Sequence, residues 1–598
     1  MKEPVPSRWR KIAQTIWTEP RHFFFWLTIF ALLVLFTTIF VAAATAAPAN
    51  WFMSRIVLAA LLAIIIGFPT FLLAWIPPVR RLLARVLNYK LLVIAIIATL
   101  VALFYAIENW RGRAAWRAFQ TQAAANGLTF DAEKIIPPEI PPALNMFEAA
   151  PWIELRLLRT TNAGKTTYRT PEATTSPWFE LAPPHNNEAP ASANLFLARR
   201  MDLSAWQNFY RGSNNVFETA TGATTNYFPI APTAQSPAQD VLLALSRHDE
   251  RLAQLRSAAE RPDARFGINY EDGFGALLPH LTKLKRIMQF LQLRATAELA
   301  AGASNAALED ILLGLRINRA IESEPILVSH LVAIAAFHIS LTPIWEGLAD
   351  HRWNDEQLTA LERELSRHDF LANYHRAMAG ERYSAIWTID YLKHTANPSE
   401  IFELTATDAS TPSFDRALGK ISFKLTPSGW FEQNKAAIGR MHLRYLHPQV
   451  DTQQRLVSPD KFKATSQALN TMSRSPYDLF TALLLPALDK ASKKFAIAQS
   501  YLDLARVAIA LERYRLANGS YPTSLTALAP KYLPEIPHDI INGNPLNYSR
   551  RDDSFVLYSV GLNQTDDGGQ VGLRHGKKET DTVVDHDQGD WVWAIPSK

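Results

Sequence analysis

Cysteine is missing from all 598 residues, which removes disulfides, thiolate metal sites and cysteine nucleophiles together. That absence is compatible with an oxidising envelope compartment without requiring one. A strong charge bias is missing too: 61 Lys and Arg against 56 Asp and Glu leave a formal net charge of +5. No basic run interleaves with aromatics, so nucleic-acid binding has no support. Neither Gly-x-Ser-x-Gly nor His-Glu-x-x-His occurs, and the hydrolase chemistries that those motifs carry go with them. The stretch Asn162-Ala163-Gly164-Lys165-Thr166-Thr167 has the end of a phosphate-binding loop, but Arg159 stands where that loop needs glycine.

Hydrophobic residues are present at 48%, too many for a mainly disordered chain, and the length allows two or more cores. Residues 23–46, 56–76 and 91–107 form uncharged apolar runs. Each approaches the ~20 residues that a helix needs to cross a bilayer, so three transmembrane helices are expected. The first is too long, and lacks a convincing processing site, to be a cleaved signal peptide. Lys2, Arg8, Arg10, Lys11 and Arg21 precede the first run and Arg80, Arg81, Arg85 and Lys90 separate the second from the third, whereas Arg55 stands alone between the first two. Positive charge stays inside, so a cytoplasmic N-terminus and an exported remainder are expected.

Residues 108–126 read as a helix leaving the membrane, and 153–157 and 194–198 as short edge strands amid Thr, Pro and Asn. From residue 237 apolar residues recur at spacings of three and four, over 241–258, 280–301, 306–321, 326–348 and 355–368. Residues 291–300 and 306–315 have the small-residue look of a helical hairpin. Residues 326–345 carry no charge, yet His330, His338 and Pro343 favour a buried core helix over a fourth span. Glu364, His368 and His375 would share a side of an unbroken helix. A metal site there lacks an evident fourth ligand, and an exposed charged face explains the spacing as well. Glu535-x-x-His538 has a di-iron spacing, but Pro534 and Pro537 forbid the helix it needs. Residues 395–467 look irregular and are expected to wrap the helical layer.

The most informative stretch is the last hundred residues. Ile497, Tyr501, Leu504, Val507, Ala508, Leu511 and Tyr514 mark a packing face, with Gln499, Asp503, Arg506 and Arg513 opposite. Asn518-Gly519 and Pro522 end that helix. Phe555, Leu557 and Ser559 then alternate as one side of a strand, after a turn at Asp553-Ser554. The motifs ALERYRLANGSYP, YLPEIPHD, GNPLNY and LYSVG, with an acidic segment closing on Asp590-Trp591, resemble the soluble domain of the type II secretion major pseudopilin. That resemblance implies calcium in the loop after the LYS-x-G strand. Asn563 stands at the first ligand position, Asp585 and Asp587 at the later acidic pair, and Asp566 and Asp567 add oxygens between them. Calcium takes six to eight hard oxygens, Asn included. A solvated acidic tail without an ion is the other reading. Pseudopilins open on a processed leader and a hydrophobic helix, whereas this unit ends a large chain, so pilus assembly is not expected. The whole layout also resembles a group of membrane-anchored bacterial envelope proteins, which implies no activity.

The expected fold is therefore mainly α. It comprises a membrane domain (1–107), an exit helix with an irregular/β region (108–236), a helical domain (237–490) and a pseudopilin-like α+β module (491–598). Two functions compete: an integral-membrane scaffold binding envelope or secretion-type partners, and an envelope hydrolase using paired carboxylates in the helical domain. A filled helical core favours the scaffold, and a polar cleft with two carboxylates favours the enzyme.

Overall fold

A computed structural model describes residues 90–162, 165–171, 178–183, 189–218, 224–395, 425–471, 475–576 and 582–594. The first two expected spans, 23–46 and 56–76, lie outside them. The chain is mainly helical with a few small sheets. It divides into two compact units. One draws on Met1–Gln122, Ile389–Arg440 and Thr471–Leu484, and the other on Ala123–Thr388, Met441–Asn470 and Leu485–Lys598.

The third expected span opens α1 (Lys90–Ala125). Leu, Ile and Val fill its first half, and its second half is Ala-, Arg- and Gln-rich, all good helix formers. Gly127 stops it with a φ of 71°, and the Leu128 amide bonds back to the Ala123 carbonyl at 2.9 Å. In the same unit α1 meets α10 (Ser428–Met441). A Cβ on Gly112 would stand 2.1 Å from the Gly429 carbonyl oxygen, so glycine permits the two backbones to touch. The Asn109 amide oxygen accepts from the Gly429 N–H at 2.8 Å and caps α10. Trp430 Nε1 donates to Glu108 at 2.9 Å.

The second unit carries α2 (Leu203–Arg211), α3 (Pro237–Leu245), α4 (Asp249–Ala259), α5 (Pro279–Ala300), α6 (Ser304–Ile321), α7 (Leu327–Ala349) and α8 (Asp355–Leu365). The hairpin foreseen around Gly302 is α5 and α6, with Gly302 at φ 81° in the turn. Leu284, Ile287, Phe290 and Leu293 of α5 and Ile317 and Ile321 of α6 are fully buried. They join Trp152, Trp206 and Phe228 in one continuous core. α7, charged only at Glu346, is a core helix, with 67% of its apolar window inside the protein.

Three expectations change. Residues 153–157 are not a strand: Trp152–Leu155 is a 3-10 turn that buries Trp152 and Leu155 three residues apart, and β1 (Leu158–Asn162) follows it. Residues 194–198 are likewise a 3-10 turn, Leu195–Leu197, capped by the Asn194 side chain. The phosphate-loop-like stretch, already short of its glycine, closes β1 at Asn162 and opens β2 (Lys165–Arg169) at Lys165, the two residues paired, so it leads into a strand and not into a helix that could receive a phosphate. Nor are the described residues of 395–467 irregular; 396–424 lie outside them. Besides α10 it holds a π-helical turn (His442–Leu446), the short hairpin β5 (Val450–Asp451) with β6 (Leu456–Val457), and α11 (Pro459–Asn470). Pro427 precedes a helix and Pro459 opens one, the positions where proline is tolerated.

Candidate functional site

The C-terminal module begins in α12 (Leu479–Asn518), which Gly519 ends at φ 77°. The antiparallel sheet β11-β8-β7 follows, built from β7 (Asn547–Arg551), β8 (Ser554–Ser559) and β11 (Trp591–Ala594). Phe555, Leu557 and Ser559 of β8 are buried, as their alternation requires. The turn into β8 is Asp552-Asp553, one residue earlier than expected, with Asp552 at φ 36°. A second pair, β9 (Val571–His575) with β10 (Thr582–Gly589), carries the later acids.

Two aspartates outside the expected ligand set hold this module together. Asp539, the last residue of the YLPEIPHD motif, is 1% exposed. It accepts from Ser559 Oγ (2.9 Å), the Val560 amide (2.9 Å) and the Ile541 amide (3.0 Å), and so ties that loop to the end of β8. Asp590, also buried, accepts from the Gly569 amide at 2.7 Å and the Asp567 amide at 3.3 Å. Burial pushes its carboxyl up, against the pull of those two amides. Both lay inside the quoted motifs. Their partners are distant in sequence, which is why their role was not visible.

The five expected ligands have other partners. Asn563 turns its amide nitrogen, not its oxygen, to Asp567 at 2.8 Å. Asp566 accepts from the Tyr558 hydroxyl and the Gly568 amide, each at 2.9 Å. Asp585 caps the Asp587 amide at 3.1 Å, and Asp587 pairs with Lys493 at 2.9 Å. The His586 ring between them packs within 5.0 Å of Phe196, and strand alternation sets Asp585 and Asp587 on the opposite face. Among the described residues no three acids or histidines gather around a cation-sized volume.

Glu364, His368 and His375 also part company. The helix they needed breaks between α8 and α9 (Phe370–Thr395). Glu364 pairs with Arg319 (3.2 Å) and Arg367 (3.0 Å), His368 with Glu322 (2.7 Å), and His375 with the Val450 carbonyl (3.0 Å).

The helix face expected to be solvated forms part of a cleft. A cavity of about 480 Å³ is lined by Gln453, Gln454, Arg455, Asp503, Arg506, Glu535 and His538 among others, a volume suited to a small ligand. Asp503, 2% exposed, takes Gln499 Nε2 at 3.1 Å on both oxygens, and burial pushes it up to about 6. Arg506 holds Glu362 at 2.8 Å and Arg455 holds Asp369 at 3.1 Å, so both guanidinium groups have counter-charges. Arg455 sits at φ 51°, a strained backbone for a non-glycine residue. The helical layer offers a second carboxylate pair, Glu298 and Asp310, 3% and 0% exposed. Arg294 bridges them at 2.9 and 2.5 Å and Arg256 adds 2.7 Å to Asp310. Desolvation raises both acids, and no substrate reaches them as they stand.

No family model, curated protein or solved structure matches this chain.

Proposed function

We propose that this is a membrane-anchored bacterial envelope protein. It sits in the inner membrane with its N-terminus cytoplasmic and its bulk exported, and its helical unit and C-terminal module act as a non-catalytic scaffold for envelope or secretion-type partners. One observation supports the anchor. The apolar window of α1 is 6% buried against 67% for α7, and Leu92, Ile94, Ile97, Leu100 and Leu103 are all exposed. Such a face in water would forfeit the main driving force of folding; in lipid it is at home. Alkaline carbonate extraction of membranes carrying the full chain should leave it in the pellet, and release into the supernatant would defeat the anchor. The scaffold reading draws on the filled core and on carboxylates already bound to arginines.

Calcium binding belongs to the same proposal through the pseudopilin resemblance, and it requires Lys493 to release Asp587 and Asn563 to turn its oxygen inward. An affinity of ~0.1 to 1 mM suits an extracellular module. The full chain should then gain roughly 2.7 kcal/mol at a hundred times the dissociation constant. Melting in chelator and in millimolar calcium tests this, with Asp585→Ala and Asp587→Ala as the variants that should lose the shift.

The cleft favours a second reading, an envelope hydrolase in which Asp503 and Glu535 divide acid and base roles. Asp503→Asn and Glu535→Gln would then each abolish hydrolysis of an envelope polymer while leaving the melting temperature in place. Intact hydrolysis in both variants removes the reading.

A further inference from the structure

The second unit buries a guanidinium that no carboxylate among the described residues answers. Arg382 of α9 is 4% exposed. Its Nη2 donates to the Thr129 carbonyl at 3.2 Å, and its guanidinium carbon lies 5.5 Å from the centre of the Phe130 ring. Its Nε has no partner, and no acid among the described residues pairs with it. Glu381, its chain neighbour, turns instead to the Leu327 amide at 3.1 Å. Arg251, the other buried arginine among the described residues, holds Glu154 at 2.6 Å. A charge taken out of water alone costs several kcal/mol, so this one is expected to have a counter-ion.

The groups around it are also donors. His442, 1% exposed, leaves its Nδ1 without a partner. The π-helical turn brings His447 beside it: the His447 amide bonds to the His442 carbonyl five residues back. An ordinary α-helix would carry those side chains about 140° apart, and π-helical turns recur at functional sites for this kind of re-aiming. The His447 ring in turn lies 4.7 Å from that of His375, whose Nε2 is engaged by the Val450 carbonyl. Arg382 depresses all three imidazoles, after burial in each case. The acid that acts on any of them is Asp451, which reaches His375 weakly and spends Oδ1 on the Gln453 and Gln454 amides. Arg382 and His442 are buried, and His375 and His447 are partly exposed.

We infer that Arg382, His442, His447 and His375 form a binding site for a small tetrahedral oxyanion of the phosphate class. A guanidinium fork and imidazoles approaching from different elements match an acceptor with oxygens on several sides better than a planar carboxylate. The anion supplies the missing charge and satisfies Arg382 Nε and His442 Nδ1.

Equilibrium dialysis of the full chain in detergent against radiolabelled inorganic phosphate reads this directly. One saturable site is expected. Arg382→Gln and His442→Asn should each weaken it roughly tenfold or more, because each removes a charge-assisted donor. Arg444→Gln, an exposed arginine in the same π-helical turn, should leave it unchanged. Short-chain phosphatidic acid as competitor separates a lipid source of the phosphate group from a soluble one, and displacement by it would still support the site. If Arg382→Gln fails to fold by circular dichroism, His442→Asn and His447→Asn carry the comparison. Absence of saturable binding, or binding unaltered in the folded variants, overturns the inference. Displacement by acetate at equal concentration overturns the tetrahedral assignment.

Discussion

Asp539 shows how much one side chain can hold. Its three donors come from two separate stretches, Ile541 and Ser559-Val560, and all are buried. Asp539→Ala would strand a hydroxyl and two amides, each costing ~1 to 3 kcal/mol when left unpaired. Denaturant unfolding should report a loss of about 3 kcal/mol or more, and a loss under about 1 kcal/mol would show that water replaces the carboxylate. Glu381 gives a pH signature. Withdrawal from water pushes its carboxyl from the usual 4.5 up to about 7, partly offset by the Leu327 amide. The native state therefore holds a proton that the unfolded state has released between those values. Its contribution is fully present below about pH 4.5 and fades as pH rises through about 7. Glu381→Gln keeps an acceptor for Leu327 and should be more stable than the unmodified chain at pH 8, by on the order of 2 kcal/mol, with little difference at pH 4.5. An equal effect at both pH values would trace the change to packing alone.

At the scale of elements, glycine sets the crossing of α1 and α10. A methyl at Gly429 would stand 2.0 Å from the Glu108 carbonyl oxygen. Gly429→Ala should thus force the helices apart, costing about 1 to 3 kcal/mol as overpacking does and lowering the melting temperature of the chain in detergent. An unchanged melt would contradict the contact. The sequence had disclosed the long helices between 279 and 365 and the buried alternation of β8, because local periodicity alone decides them, whereas the single helix expected over 241–258 is α3 and α4 with a 3-10 turn (Ser246–His248) between them. It misjudged α12: Gln499 and Asp503 were assigned to solvent, yet both are buried. Gln499 accepts from the Phe370 amide at 2.9 Å, 129 residues away, and a helix covered on two sides has no periodic trace of the second cover. For the same reason the acids of the C-terminal loop could be named but not placed. Whether Asp587 meets a cation or Lys493 depends on how β10 lies against α12, which no spacing encodes.

For the whole molecule the governing contrast is between two apolar helices. α7 carries one charged residue, Glu346, and has its surface taken up by α5 and α6, while α1 presents Leu and Ile to whatever surrounds it. Lipid is the surrounding that makes the second arrangement stable. In the proposed topology the basic segments at the N-terminus and at Arg80, Arg81, Arg85 and Lys90 orient the chain, with everything after α1 outside the cytoplasm. The measurement that bears most directly on this is a reporter active only in the cytoplasm, fused after Ser597 of the full chain and compared with the same reporter fused after Lys2. Activity from the Lys2 fusion and none from the Ser597 fusion is the predicted result. Strong activity from the Ser597 fusion would place the helical unit and the C-terminal module in the cytoplasm and contradict an exported scaffold.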